Sequence, residues 1–330
     1  MSLPPAASEP LILDVDLLRF ETGDAGARRA VVDGVMRSLG TGFVYTNHDV
    51  SSDMLDTAYG MLQLFFELAP ETKSSFQAPG SHGQSGYTGL MVETAATADK
   101  PDWKEMLNWG VQLPDGHPLR RKFPHVYPDQ VYPEAAVPGM EAVMKEFHRR
   151  VHETQQRFLR IIAVGLGCHE NLFDDMLRHG STLTRAIHYP AMDLAPETAH
   201  IWAGAHTDIN LITALPRAST RGLQVSVGGA WIDAVAPEGQ MIINSGIMLE
   251  HLTNGLIRAG QHRVIAAPDQ RGDRYSVVQF CHPTPWTILQ PLPSCITSEN
   301  PQRYAAIMAG DKLDEVLYAI NLIEGARRVS

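Results

Sequence analysis

The stretch Ala205–Leu215, "AHTDINLITAL", alternates like a β-strand yet carries His206 and Asp208 two positions apart. In a strand, residues i and i+2 project to one face, so an imidazole and a carboxylate are expected side by side. With 14 histidines in the chain, composition alone produces about one His-x-Asp triplet by chance. The pair therefore needs support from elsewhere, and two segments supply it. His262 opens a further strand in "GQHRVIAA", and "DRYSVVQF" places Arg274 and Ser276 two apart on one face. Two imidazoles and one carboxylate can hold one side of an Fe(II) ion and leave the other side open for O2 and a bidentate organic acid. An arginine fork beside a hydroxyl suits a planar carboxylate.

The elements that must position these residues differ between the two halves of the chain. Residues 1–10 are rich in Pro, Ala and Ser and are expected to form a flexible tail. "LILDVD" (Leu11–Asp16) and "GFVYTNH" (Gly42–His48) read as strands, flanking a helix in "DAGARRAVVDGVMRSLG" that stops at Gly40. Met54, Leu55, Tyr59, Leu62, Phe65 and Phe66 recur at helical spacing, and "GSHGQSGYTG" reads as a loop. A proline-rich connection then leads to a long helix from about Met140 to Leu166. From Ser181 the pattern changes to short apolar runs at regular intervals, the mark of a sandwich or barrel such as a jelly roll. "PQRYAAIMAGDKLDEVLYAINLIEGARR" reads as a closing helical segment.

The ordered set "GAHTD … GLQV … W … V … IINSG … LTNG … HRV … RYS … F" resembles the isopenicillin N synthase-like branch of the iron/2-oxoglutarate dioxygenases. "GFVYTNHDV", "GYTG", "PDWKEML" and "RAIHYP" extend the likeness through the front half, so that it covers about Leu11 to Pro283. The resemblance implies a double-stranded β-helix (jelly roll) core with a helix-rich N-terminal half. The expected divisions are a tail at 1–10, an N-terminal non-haem dioxygenase region at 11–180, the Fe(II)/2-oxoglutarate core at 181–284, and a helical segment at 285–330 packing on it. Carried over residue by residue, His206, Asp208 and His262 match the iron ligands. Arg274 and Ser276 match the pair that holds the distal carboxylate of 2-oxoglutarate, and Tyr189 matches a tyrosine reaching the same group. His251 and His282 are rival third ligands, and the His-Arg-Val context favours His262. Asn210, His282 and Tyr87 are candidates for the substrate pocket. His169 reads as a loop residue and Trp103 as a packing anchor.

The chain departs from that family at Ile187 and His188, within "RAIHYP", and at Ile247. Gln84 stands where isopenicillin N synthase has an arginine for its substrate, which disfavours that activity, and the presence of Asp208 disfavours halogenation. The resemblance implies an enzyme that uses Fe(II), 2-oxoglutarate and O2. It would hydroxylate, or alternatively desaturate or cyclise, a small molecule while 2-oxoglutarate becomes succinate and CO2. The rivals are an oxidase similar to isopenicillin N synthase that needs no 2-oxoglutarate, a zinc hydrolase, and a jelly-roll binding protein with a spent site. Turnover without 2-oxoglutarate would single out the first. The intact triad with Arg274 argues against the last.

Composition narrows the partners. A net charge of -10 argues against a nucleic-acid binder, because phosphates would be repelled. Cys168, Cys281 and Cys295 are widely spaced with no CxxC, which fits free thiols in a reducing compartment. No secretory signal and no membrane-spanning run is legible, so a cytoplasmic protein with no membrane partner is expected. Oligomeric state leaves no signature in the sequence.

Overall fold

The computed structural model describes residues 12–81, 83–94, 100–196 and 200–319. The expected tail at 1–10, Leu11, and the last eleven positions of the C-terminal segment lie outside them. The front of the chain runs β1 (Asp14–Val15), α1 (Leu17–Thr22), α2 (Ala25–Ser38), β2 (Phe43–Asn47), α3 (Ser52–Phe66) and α4 (Pro70–Ser74). It continues through β3 (Gly86–Thr88), β4 (Glu105–Gly110), α5 (Pro118–Lys122), α6 (Met140–Gly165) and α7 (Asp174–Leu177). The helices start where short polar side chains can cap them. Asp24 accepts from the Ala27 N–H at the head of α2, and Ser51 does the same for Met54 at α3. On α6, Met144, Phe147, Val151, Phe158 and Ile162 recur at helical spacing and are fully buried, so this helix forms the spine of the helical layer.

The back half supplies β5 (Leu183–Tyr189), β6 (Ala203–His206), β7 (Ile212–Ala218), β8 (Leu223–Val227), β9 (Ala230–Asp233) and β10 (Gln240–Ser245). After α8 (Ile247–Leu252) come β11 (His262–Val264), β12 (Arg274–Cys281), β13 (Ile288–Leu289), β14 (Ile307–Met308) and α9 (Ala309–Ala319). Eight strands form one mixed sheet in the order β1-β2-β10-β7-β12-β5-β4-β3, and β6-β11-β8-β9 form a second. The large sheet therefore draws four strands from the front half, of which the sequence reading found two. "GSHGQSGYTG" contains β3, and "KEMLNWG" ends in β4, which pairs along its whole length with β5.

Alternation along the strands sorts the two faces of the large sheet. Leu107, Trp109, Ala186, Val277 and Cys281 join the core against the helical layer. Met106, Ile187, Tyr189, Leu215 and Ile242 join a second core between the sheets. Polar side chains reach the helical side too. Gln155 of α6 donates to the carbonyls of Ile212 and Gln279, tying the helix to the sheet.

One irregularity shapes the centre. The register of β12 on β7 shifts between Val277 and Gln279, beside Pro216, which cannot donate to a ladder. Tyr59 of α3 fills the gap. Its hydroxyl accepts from the Val277 N–H at 3.1 Å and donates to the Arg217 carbonyl.

Candidate metal and co-substrate site

His206, Asp208 and His262 converge, with one donor atom from each lying within 4.8 Å of the others. The reason differs from the one read in the sequence. β6 ends at His206, so Asp208 does not share a pleat with it and sits in the connection that leads into β7. The connection is held by backbone bonds from Ile247 N–H to the Asp208 carbonyl and from Gly246 N–H to that of Leu211. Gly246 admits this close approach, since a Cβ there would fall 2.2 Å from the Asn210 carbonyl oxygen. His262 arrives from the neighbouring strand, directly opposite His206 in register. Its approach also needs small residues, because a Cβ on Gly42, whose φ is +82°, would lie 2.5 Å from Gly260 Cα.

Hydrogen bonds orient all three side chains. Nδ1 of His206 meets the Gly204 carbonyl at 2.7 Å, and Nδ1 of His262 meets that of Gly260 at 3.0 Å. A carbonyl only accepts, so each Nδ1 carries the proton and each Nε2 keeps its lone pair. Both Nε2 atoms stand 3.9 Å from Oδ1 of Asp208. The other oxygen, Oδ2, accepts from Thr213 Oγ1 at 2.6 Å and Asn244 Nδ2 at 2.8 Å. The carboxylate is thus anchored through one oxygen and free through the other, as outer partners of a metal ligand require.

Burial, reinforced by the adjacent His262, pushes His206 down to about 4. Burial alone would raise Asp208, but the two imidazoles and the bonds from Thr213 and Asn244 outweigh it and hold the carboxyl below its ordinary range. Two neutral imidazoles and one carboxylate with converging lone pairs fit a divalent transition metal and leave part of its shell open.

The donors border a cavity between the two sheets. At one end Arg274 and Tyr189 face each other across the β12–β5 pairing, with the guanidinium 5.0 Å from the ring centroid. Arg274 is 2% exposed and donates to Ser276 Oγ at 3.1 Å and the Thr220 carbonyl at 3.3 Å. Among the described residues no carboxylate pairs with it. Burial accordingly lowers its pKa despite the neighbouring tyrosines. A buried cation without an anion is costly, and a bound carboxylate would remove the deficit.

The cavity also holds residues the sequence reading did not single out. Lys104 and Arg185 line it with Val278 and Phe280. Glu93 bridges the two cations, 3.1 Å from Lys104 and 3.4 Å from Arg185, while Asp102 takes Lys104 at 2.9 Å. Burial would raise Glu93, but Arg185 and then Lys104 overcome it and bring the carboxyl down to about 2. Arg185 was within reach of sequence reasoning, because it shares strand parity with Tyr189. Glu93 was not, because the loop carrying it gives no periodic signal.

Three pocket candidates do not line this cavity. Asn210 is fully buried and donates to Ile212 O and Thr213 Oγ1, so it braces the turn under Asp208. His282 lies buried just past β12 and feels the charge of Asp208, although burial still takes it down to about 4. Tyr87 faces the helical side and donates to Glu105. His251, the other rival ligand, is held by the Ala305 carbonyl at 2.8 Å. Neither Gln84 nor Ser85 lines the cavity, and Ser85 accepts from the Val131 N–H. A wider groove of about 720 Å³, lined in part by Arg120 and His125, lies apart from these donors, and its Arg120 is paired with Asp115 and Asp129.

A jelly-roll scaffold with a two-histidine, one-carboxylate cluster beside a buried arginine defines the class of non-haem iron oxygenases. Comparison with known proteins gives the family. Residues 13–134 match the family model of the N-terminal region of the non-haem dioxygenase in morphine synthesis, and residues 181–283 match the 2OG-Fe(II) oxygenase superfamily. A Caulobacter crescentus structure described as a 2OG-Fe(II) oxygenase family protein is 32% identical, with a TM-score of 0.82 over 94% of this chain and 99% of that one. A full-length Neurospora crassa protein solved with alpha-KG and thymine is 26% identical, with a TM-score of 0.80 over 93% of this chain and 96% of the other. The 2'-deoxymugineic-acid 2'-dioxygenase of Hordeum vulgare is 26% identical over 310 residues, which span 94% of this chain and 85% of that protein. The chain belongs to the 2OG-Fe(II) oxygenase superfamily and is a 2-oxoglutarate-dependent dioxygenase, an enzyme of Fe(II), 2-oxoglutarate and O2. No described helix is long and apolar enough to cross a membrane.

Proposed function

We propose that this enzyme hydroxylates a small polar molecule, with Fe(II) held by His206, Asp208 and His262 and with Arg274, Ser276 and Tyr189 gripping the distal carboxylate of 2-oxoglutarate. The observation that carries the reading is Arg274, a buried guanidinium at the end of the cavity with only neutral partners among the described residues. When bound, the iron with 2-oxoglutarate and O2 supplies an oxidant able to take hydrogen from an unactivated carbon, while 2-oxoglutarate leaves as succinate and CO2. The protein's own part is positioning. Gly204 and Gly260 carbonyls fix the imidazoles, Thr213 and Asn244 fix the carboxylate, and Arg274 with Ser276 sets the co-substrate's direction. Leu223, Ile242, Val264 and Val278 wall the cavity and keep water from the reacting carbon.

Arg185 and Lys104, which line the cavity, and Glu93, which bridges them, bring donors and an acceptor to its wall, which suits a substrate with polar groups on a compact body. The thymine bound to the Neurospora crassa protein is of that kind. The test is substrate-dependent succinate release over a panel of such molecules, with the product examined for one oxygen atom from labelled O2. Asp208→Ala abolishes succinate formation on this reading. Turnover that persists without 2-oxoglutarate would favour the oxidase similar to isopenicillin N synthase instead.

A further inference from the structure

On the helical side of the large sheet, directly behind Arg274 and Tyr189, lies a row of polar groups that the reaction does not touch. Glu105 stands opposite His188 in register, and His188 stands opposite Tyr275. The next residues along the same strands, on the other face, are Tyr189 and Arg274, themselves a register pair. His188 Nδ1 lies 2.6 Å from Glu105 Oε1, and Nε2 lies 2.9 Å from Asp273 Oδ2. The second oxygen of Asp273 accepts from the Ala191 N–H at 2.9 Å. Lys73 of α4 and Tyr87 of β3 donate to Glu105, so the network joins the helical layer to four adjoining strands of the sheet. Tyr275 stacks on the His188 ring at 4.7 Å with the planes 8° apart.

We propose that His188, held between Glu105 and Asp273, is a positioning residue that sets the aim of Arg274 and Tyr189 at the co-substrate. The inference rests on the reading above that Arg274 receives 2-oxoglutarate. β5 ends at Tyr189 and β12 begins at Arg274, so both side chains sit at strand ends, where ladders open most easily. Among the described residues Arg274 is anchored by Thr220 and Ser276, and on the β5 side its guanidinium engages only the Tyr189 side chain, which is itself at a strand end. Asp273 adds a second tie between the two strand ends by bonding the ring of His188 and the backbone of Ala191 together. Without it the two ends can separate, and the arginine fork loses its fixed distance from the tyrosine ring. The ring meets the two acids through nitrogens on its opposite sides, a span that the single terminal nitrogen of a glutamine amide does not have.

The test uses the full chain loaded with Fe(II) without O2. 2-Oxoglutarate binding is followed by calorimetry and by the visible charge-transfer band, and Fe(II) binding and melting temperature are measured alongside. Asp273 is the safer site to vary, since its side chain is 37% exposed. Asp273→Asn and His188→Gln are each expected to weaken 2-oxoglutarate binding by about tenfold, the effect of losing roughly one hydrogen bond's worth of positioning. Fe(II) affinity should stay unchanged, and Asp273→Glu should restore part of the loss. Combined with Arg274→Ala, Asp273→Asn should add nothing. Unchanged 2-oxoglutarate binding in both single variants, with binding weakened in Arg274→Ala, overturns the positioning role and leaves the co-substrate assignment standing. Unchanged binding in Arg274→Ala as well removes the assignment itself, and the positioning role falls with it.

Discussion

Arg274→Met should make the enzyme more stable while removing its grip on 2-oxoglutarate. The guanidinium is 2% exposed, and its hydrogen-bond partners are a hydroxyl and a carbonyl. Replacing it forfeits those two bonds, worth about 1.5–3 kcal/mol each when the donor is charged. It also forfeits a cation–π contact with Tyr189 of about 1 kcal/mol. Against this stands the penalty for holding a cation out of water, which amounts to several kcal/mol per ion even after relaxation. Methionine has a similar length, no charge, and the flexibility to fill the space. Replacing buried ion pairs by apolar residues is often neutral or stabilising by about 1–4 kcal/mol, and among the described residues this cation lacks even the pair.

The prediction is that relief of the desolvation penalty exceeds the roughly 4–7 kcal/mol of lost contacts by about 1–2 kcal/mol in urea unfolding without ligands. With 2-oxoglutarate at 100 times its dissociation constant the order should reverse, because binding adds about 2.7 kcal/mol to the native enzyme and nothing to the variant. A ligand-free variant destabilised by more than about 1 kcal/mol would refute the reasoning and make Arg274 a structural element.

Thr213→Val removes one of two donors to Asp208 Oδ2 and should weaken Fe(II) binding by about 10–100-fold in a metal titration. Tyr59→Phe leaves the Val277 N–H and Arg217 carbonyl unpaired beside the register shift, and should lower stability by about 2–3 kcal/mol, read from the melting temperature. Glu93 has its pKa depressed to about 2 in the folded chain, so its contribution is full above the unfolded value near 4.5 and is lost as pH falls toward 2. Glu93→Gln should therefore flatten the acid limb of the stability profile between about pH 5 and 2, removing up to roughly 3 kcal/mol at neutral pH.

What the sequence made legible was short-range. The helices α2, α3 and α6 fall within a residue or two of their expected spans, because capping and apolar spacing are local properties. The residues proposed as donors of the site stood out because each lies in a short run of diagnostic residues. The geometric reason given for His206 and Asp208 was nevertheless wrong, since a strand end and a turn bring them together. β4 escaped because a strand covered on both faces has no polar side to alternate with, and its charged start, Lys104–Glu105, looks like surface. Those two charges face opposite layers, Lys104 toward the cavity and Glu105 toward the helices. Such a strand carries a polar residue on each face only where each finds a partner, and the partners come from distant loops and helices, such as Glu93 for Lys104 and Lys73 for Glu105. The same holds for β5, where Arg185 and His188 differ in parity and serve opposite sides of one sheet. A polar residue in a strand buried on both faces is thus the place where sequence shows that a partner is needed, although only the fold supplies its name.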